Sequence, residues 1–155
     1  MRAIAFSMEF RGRSTELMPG VLTARGTAPS GALVTRIDGA GPHGTFEPVR
    51  GDEALLERRL TFLDDTRFEE SGTISFGAGN ALRFRSVGTG ALSPSPEPGL
   101  RQGTAAWEID GGAGALAGAS GRIVSNFLVA DSGELTDRQL GVVFLDDSSK
   151  GDEHD

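Results

Sequence analysis

Arg58 and Glu70 are charged residues that interrupt the otherwise apolar faces of two alternating, strand-like segments. The turn residues 64–66 between these segments predict a β-hairpin, whose antiparallel register brings Arg58 opposite or diagonal to Glu70. An arginine paired with a glutamate inside a protein is either a structural ion pair or a polar anchor for a ligand. The pattern leaves both uses open.

Glu9 and Arg11 form a second pair, on the first predicted strand. Alternation places them on the face opposite Met8 and Phe10. That face is either solvent-exposed, where an ion pair contributes little, or a cavity wall, which the small residues before Glu9 would suit. We predict that both side chains face the lumen of a barrel, where the carboxylate could stabilise developing charge or act as a general base.

The residue types that the chain lacks exclude several kinds of active site. It has no Cys and no Tyr, and Lys150 is its only lysine. A thiol nucleophile, a cysteine metal site, a tyrosine acid and a Schiff-base lysine in the body of the chain therefore have no residue to carry them. A Ser-His-Asp triad requires His43, since the other histidine, His154, is near the C-terminus. We expect neither a metal nor a cofactor.

Composition and charge bound the class of protein and its partners. A chain of 155 residues with 37% hydrophobic residues and 23 glycines suits one turn-rich β domain. The net charge of −7 argues against a nucleic-acid partner, because phosphate binding needs a concentrated positive face. No apolar run is long enough for a membrane span, and Glu9 comes too early for a signal-peptide core. We therefore expect a cytoplasmic protein without a membrane partner.

Strands must position these residues, because the apolar pattern has a period of two and no longer segment shows a helical period. Turn residues between the segments predict consecutive antiparallel hairpins, and the prolines of 93–99 predict a stiff surface loop. About eight such strands suit a small closed barrel. The predicted fold is thus all-β, a single antiparallel barrel of about eight strands. The predicted spans, one of them short or broken, are 2–12, 20–28, 31–38, 54–63, 67–76, 81–90, 102–110, 121–130 and 137–146.

Segment 111–123 has five glycines within eleven residues and lies between two strand-like runs. It resembles the glycine signature shared by allene oxide cyclases and, more loosely, by plant dirigent proteins. The resemblance covers roughly 73–146, where the strand around Phe76, the run around Trp107 and the last strand follow in the family's order. It implies a calycin-type barrel that encloses an apolar ligand. Related bacterial spirotetronate cyclases fold polyketides in a similar barrel, so the scaffold does not determine the reaction.

The same resemblance assigns roles to individual residues. In these families an acid on the first strand faces the ligand cavity, which implies a buried carboxylate at Glu9, whereas Arg11 stands where the cyclases have Asn. A guanidinium there would attract an anionic ligand or keep Glu9 ionised. Trp107 alternates with apolar residues and is also typical of a core residue. We predict Glu9 and Arg11 as catalytic residues, and as ligand contacts Arg58, Glu70, Phe84, Trp107 and Asn126.

The function expected from these features is that of a cofactor-free isomerase or cyclase acting on a small hydrophobic molecule of polyketide, lipid or terpenoid type. One alternative is a non-catalytic carrier, and another is a hydrolytic or tautomerising enzyme with Glu9 or Glu70 as general base. We expect the barrel at 1–146 and a disordered acidic tail at 147–155. Apolar residues on both faces of strands, such as those around Val142 and Phe144, predict a dimer or trimer.

Overall fold

The computed structural model describes residues 1–146, and the predicted acidic tail at 147–155 lies outside the described residues. Within 1–146 the chain is almost entirely β, with a single-turn 3₁₀ helix at Gly114–Leu116. The strands are β1 (Arg2–Met18), β2 (Val21–Ala28), β3 (Gly31–Asp38), β4 (Gly41–Pro48), β5 (Ala54–Phe62), β6 (Arg67–Ser75), β7 (Ala81–Ser86), β8 (Gly90–Pro94), β9 (Leu100–Ala113), β10 (Ser120–Ala130) and β11 (Glu134–Leu145).

Eight strand positions close into an antiparallel barrel. Neighbouring strands run in the order β10, β11, β1, β2, β5, β6, β7 and β9, and β9 pairs back with β10. The short β8 pairs with both β6 and β9, so it continues the position of β7 after an interruption at 87–89. The predicted all-β barrel of about eight strands is confirmed.

Side chains fill the centre of the barrel. Along β5 and β11 buried and exposed residues alternate, as expected for strands with one face on the interior. Aromatic rings lie directly against inward-facing glycines of neighbouring strands, Phe127 on Gly103 and Phe68 on Gly90. The ring occupies the place that the glycine's missing side chain leaves. Cavities lie at both ends of the barrel, beyond this packing.

The hairpin of β3 and β4 forms its own two-stranded sheet, a ribbon that is not hydrogen-bonded into the barrel sheet. The sequence pattern predicts no strand at 41–48, but β4 pairs with β3 along its whole length, from Gly31 opposite Pro48 to Asp38 opposite Gly41. Prolines are tolerated here because the other edge of β4 has no neighbouring strand, so their missing N–H groups cost no ladder hydrogen bond. The predicted strand at 81–90 is divided, since Gly88 has a φ of 68° between β7 and β8.

The outer wall keeps apolar residues exposed where β11 runs beside β1. Val142 and Phe144 are each 38% exposed, opposite Ala5 and Ala3. The dimer or trimer stays a prediction. In residues 1–146 no helix has the length and apolar character needed to cross a membrane.

The contact between Gly103 and Phe127 can be tested by adding one methyl group. A Cβ at Gly103 would overlap the Phe127 ring. We therefore expect Gly103→Ala to lower the free energy of unfolding by about 1–3 kcal/mol, as overpacked cores do. Gly44→Ala is the matched control, because nothing lies within 4 Å of the added atom. Urea unfolding measures both, and equal stability of the two variants would contradict the proposed packing.

Candidate functional site

A buried polar cluster lies inside the barrel around Arg58. The guanidinium of Arg58 on β5 donates from Nη1 to Asp137 Oδ2 on β11 at 2.7 Å, and its Nε lies 3.4 Å from Glu70 Oε2 on β6. The side chains of all three residues are at most 1% exposed. The predicted pairing of Arg58 with Glu70 is confirmed as diagonal, because Arg58 is opposite Gly72 and Leu60 is opposite Glu70.

Aromatic residues enclose the cluster. Trp107 Nε1 donates to Glu70 Oε1 at 2.6 Å, and the Trp107 ring stacks on Phe84 with centroids 3.8 Å apart. The Arg58 guanidinium carbon is 4.5 Å from the centre of the Phe127 ring. The barrel therefore brings together four of the predicted ligand contacts, Arg58, Glu70, Phe84 and Trp107, as parts of one packed interior. Their role in ligand binding stays a prediction.

Three buried polar residues of the cluster are absent from the set predicted from sequence. Ser125 donates from Oγ to Asp137 Oδ1 at 2.8 Å, and Gln139 donates from Nε2 to Asp137 Oδ2 at 2.8 Å. Asp137 and Gln139 lie on the inward face of β11 between Leu135 and Val143. The sequence contains a signal for Asp137 and Gln139, since these two residues interrupt the apolar face of a strand in which every second residue points inward. It is obscured because the predicted strand begins at Asp137, whereas β11 begins at Glu134.

Burial controls the electrostatics of Glu70. Burial raises the pKa of Glu70 and the charge of Asp137 raises it further, and together they outweigh the lowering by Arg58 and by the Trp107 hydrogen bond. Three buried polar atoms of the cluster have no hydrogen-bond partner among residues 1–146, namely Arg58 Nε, Glu70 Oε2 and Gln139 Oε1. The cluster is therefore incompletely satisfied.

The prediction that Glu9 and Arg11 face the lumen is wrong. Met8 and Phe10 take the inner face of β1, which places Glu9 and Arg11 on the outer wall, where the Arg11 side chain is 73% exposed. Partial burial raises the pKa of Glu9, but the hydrogen bond from Arg11 and the positive charges of Arg138 and Arg11 together lower it. Burial of two large apolar side chains outweighs what a surface ion pair contributes. The pair is thus a surface ion pair.

The predicted lumen position of Asn126 is also wrong. On β10 the inward residues are Ser125 and Phe127, so Asn126 is exposed and accepts a 3.4 Å hydrogen bond from the Thr104 hydroxyl. The inward polar residue of this strand is therefore Ser125.

The two ends of the barrel hold different cavities. One end has a cavity of about 490 Å³ with mainly apolar walls, which include Phe6, Met8, Leu82, Leu116 and Val143. None of the predicted site residues lines it. The opposite end has a cavity of about 420 Å³, which Arg58 lines together with apolar and polar residues.

The described residues contain no group of three or more His, Cys, Asp or Glu side chains placed to hold a metal ion. The fold and the cavities together define a closed antiparallel β-barrel with a filled centre and two open ends. No protein-family model and no curated protein matches the chain. Among solved structures, the chain is similar to a pterocarpan synthase dirigent protein, at 11% sequence identity and a TM-score of 0.30, over 94% of this chain and 89% of that one.

The raised pKa of Glu70 predicts a pH dependence of stability. In the unfolded chain Glu70 loses its proton at the ordinary pKa of a glutamate, whereas in the folded protein it keeps the proton to higher pH. The free energy of unfolding therefore falls as the pH rises from the pKa of the unfolded state toward that of the folded state. Glu70→Gln removes this loss while keeping an acceptor for Trp107. We therefore expect the stability of the variant relative to the wild type to increase between about pH 5 and about pH 8.

Urea unfolding followed by Trp107 fluorescence at both pH values measures this difference. Glu69→Gln is the control, because Glu69 is the exposed neighbour on the same strand. If the free energy of unfolding changes with pH by the same amount in Glu70→Gln and in Glu69→Gln, ionisation of Glu70 does not govern stability.

Proposed function

We propose that the barrel binds a small apolar organic molecule in the 490 Å³ cavity at the end lined by Met8 and Leu82. The observation that carries the proposal is the combination of size and lining. Small-molecule sites have volumes of roughly 300–1,000 Å³ and are lined mainly by apolar side chains with a few polar groups. A ligand in this cavity would remove its own apolar surface from water, together with that of the walls.

A hydrogen bond within the protein holds one part of the wall of this cavity. Leu116 belongs to the 3₁₀ helix at Gly114–Leu116, and the backbone N–H of Ala115 in that helix donates to Asn80 Oδ1 at 2.8 Å. This bond ties the helix to the turn before β7. A cavity whose wall is already ordered costs less conformational entropy to occupy.

Isomerisation or cyclisation of the bound molecule without a cofactor is the second candidate function, in keeping with the resemblance to allene oxide cyclases. Asp52 and Glu53 support it, because both line the apolar cavity. A cavity that holds one reactive conformer, with a carboxylate nearby to accept a proton or stabilise positive charge, has the groups that such reactions need. Glu9 and Glu70 line neither of the two end cavities.

Binding at this end can be tested with N-phenyl-1-naphthylamine, an uncharged probe whose fluorescence rises in apolar surroundings. We expect the wild type to bind it and Ile4→Asp to weaken binding about tenfold or more, because Ile4 lines the cavity and a carboxylate there opposes apolar burial. Val124→Asp is the matched control, since Val124 is 42% exposed on the outer wall. Equal binding by the two variants would place the probe elsewhere.

Catalysis and carriage differ in what happens to the molecule. Incubation with terpenoid, fatty-acid and polyketide compounds, followed by liquid chromatography and mass spectrometry, separates the two. A carrier returns each compound unchanged, whereas an isomerase or cyclase gives a product of identical mass and altered retention. If Asp52 or Glu53 takes part, Asp52→Asn with Glu53→Gln should slow product formation by about 10²–10⁴-fold while the fluorescent probe still binds.

A further inference from the structure

We propose that the opposite end of the barrel is a second binding site, which accepts an uncharged apolar molecule carrying one carbonyl oxygen and recognises that oxygen through Arg58. This site shares no lining residue with the cavity of the proposed function. Binding at one end can therefore be tested independently of binding at the other.

The second cavity is lined by both apolar and polar residues, and it extends inward to Arg58. From the end of β5 inward, its lining residues are Phe62, Leu60 and then Arg58, which is the deepest of the three on this strand. Other strands add apolar walls, including Phe127 and Leu135. At about 420 Å³ the space matches a molecule of drug-like size or smaller.

Arg58 has donor capacity that the protein leaves unused. A guanidinium has five N–H donors. Nη1 serves Asp137 at 2.7 Å and Ser125 at 3.2 Å, whereas Nε faces Glu70 Oε2 at 3.4 Å without forming a hydrogen bond. Both side-chain hydrogen bonds of Arg58 within residues 1–146 come from Nη1, and none comes from Nη2. Nη2 is not among the buried atoms that lack a partner, so it is the nitrogen of Arg58 that an oxygen in the cavity can reach and hydrogen-bond.

The charges around the site favour a neutral ligand. Asp137 already neutralises Arg58 through their 2.7 Å ion pair, and burial raises the pKa of the neighbouring Glu70 carboxyl. At the rim, Glu16 and Asp131 oppose the single cation Arg101. A ligand carboxylate would bring an uncompensated charge next to Asp137 in a buried place. A ketone, aldehyde, ester or amide oxygen accepts the hydrogen bond without that cost.

A matched pair of probes tests this chemistry. The ketone 4-phenylbutan-2-one and the hydrocarbon n-butylbenzene have similar shapes and differ in the carbonyl oxygen. An apolar cavity without a donor prefers the hydrocarbon, because an unpaired carbonyl is costly to desolvate. We expect the wild type to bind the ketone at least as tightly as the hydrocarbon. Tighter binding of the hydrocarbon by about tenfold or more would overturn the proposal.

The place of binding can be read by nuclear magnetic resonance. Trp107 is the only tryptophan, so its indole N–H gives a single signal, and it lies in the cluster with Arg58. We expect the ketone to shift this signal and the backbone signals of Leu60 and Leu135. Shifts confined to Leu82 and Val143, at the other end, would overturn the proposal.

Two variants complete the test. Arg58→Met should reverse the preference, so that the hydrocarbon binds more tightly than the ketone by about tenfold or more. Val129→Trp should abolish ketone binding while leaving the residues of the cluster unchanged, because Val129 lines the cavity and a larger side chain would fill it. If Arg58→Met does not fold, this variant provides the test. Val124→Trp, on the outer wall of the same strand, is the control. Unchanged ketone binding in Val129→Trp would refute the site.

Discussion

A buried guanidinium needs a negative partner beside it, and the polar residues in the interior of this barrel surround Arg58. Arg58 meets Asp137, 79 residues later in the chain, and approaches Glu70 on the neighbouring strand. Arg58 and Glu70 lie on the adjacent strands β5 and β6, whereas the ion pair of Arg58 with Asp137 joins β5 to β11 across the interior of the barrel. Removing one partner of such a group leaves an unpaired buried charge, which typically costs about 3–5 kcal/mol. Arg58 can pair with Asp137 only where β5 and β11 lie in the same closed barrel.

Packing around the cluster decides where a ligand can go. Glycines on the inner face admit aromatic rings from adjacent strands, as Gly103 admits Phe127, and these rings close the middle of the barrel. A barrel of eight strands is just wide enough for its side chains to fill the interior. Cavities lie at both ends of the barrel, and the two ends differ in chemistry. One is mainly apolar, whereas the other leads to a charged side chain with spare donors.

Much of the fold could be predicted because alternation and turn residues are local signals. The period of two identifies most strands, and the turn between β5 and β6 sets a register that brings Arg58 near Glu70. The sequence does not predict β4 because it contains prolines, which are excluded from strands with neighbours on both sides but are tolerated in an edge strand. β4 is such a strand, since it pairs only with β3. Whether a strand has such neighbours is a property of the whole sheet, which no short segment contains.

The sequence by itself determined the all-β class, the alternation of each strand and the set of chemistries that missing residue types exclude. Only the tertiary structure decided which face of each strand became the interior. On β1 the alternation allowed either face to be the inner one. Because Met8 and Phe10 are buried in the barrel, Glu9 and Arg11 lie on the outer wall. Only the closed barrel added Asp137 to the pair of Arg58 and Glu70. The physical reason is that alternation defines two faces, while which face is buried depends on what the other strands place opposite it.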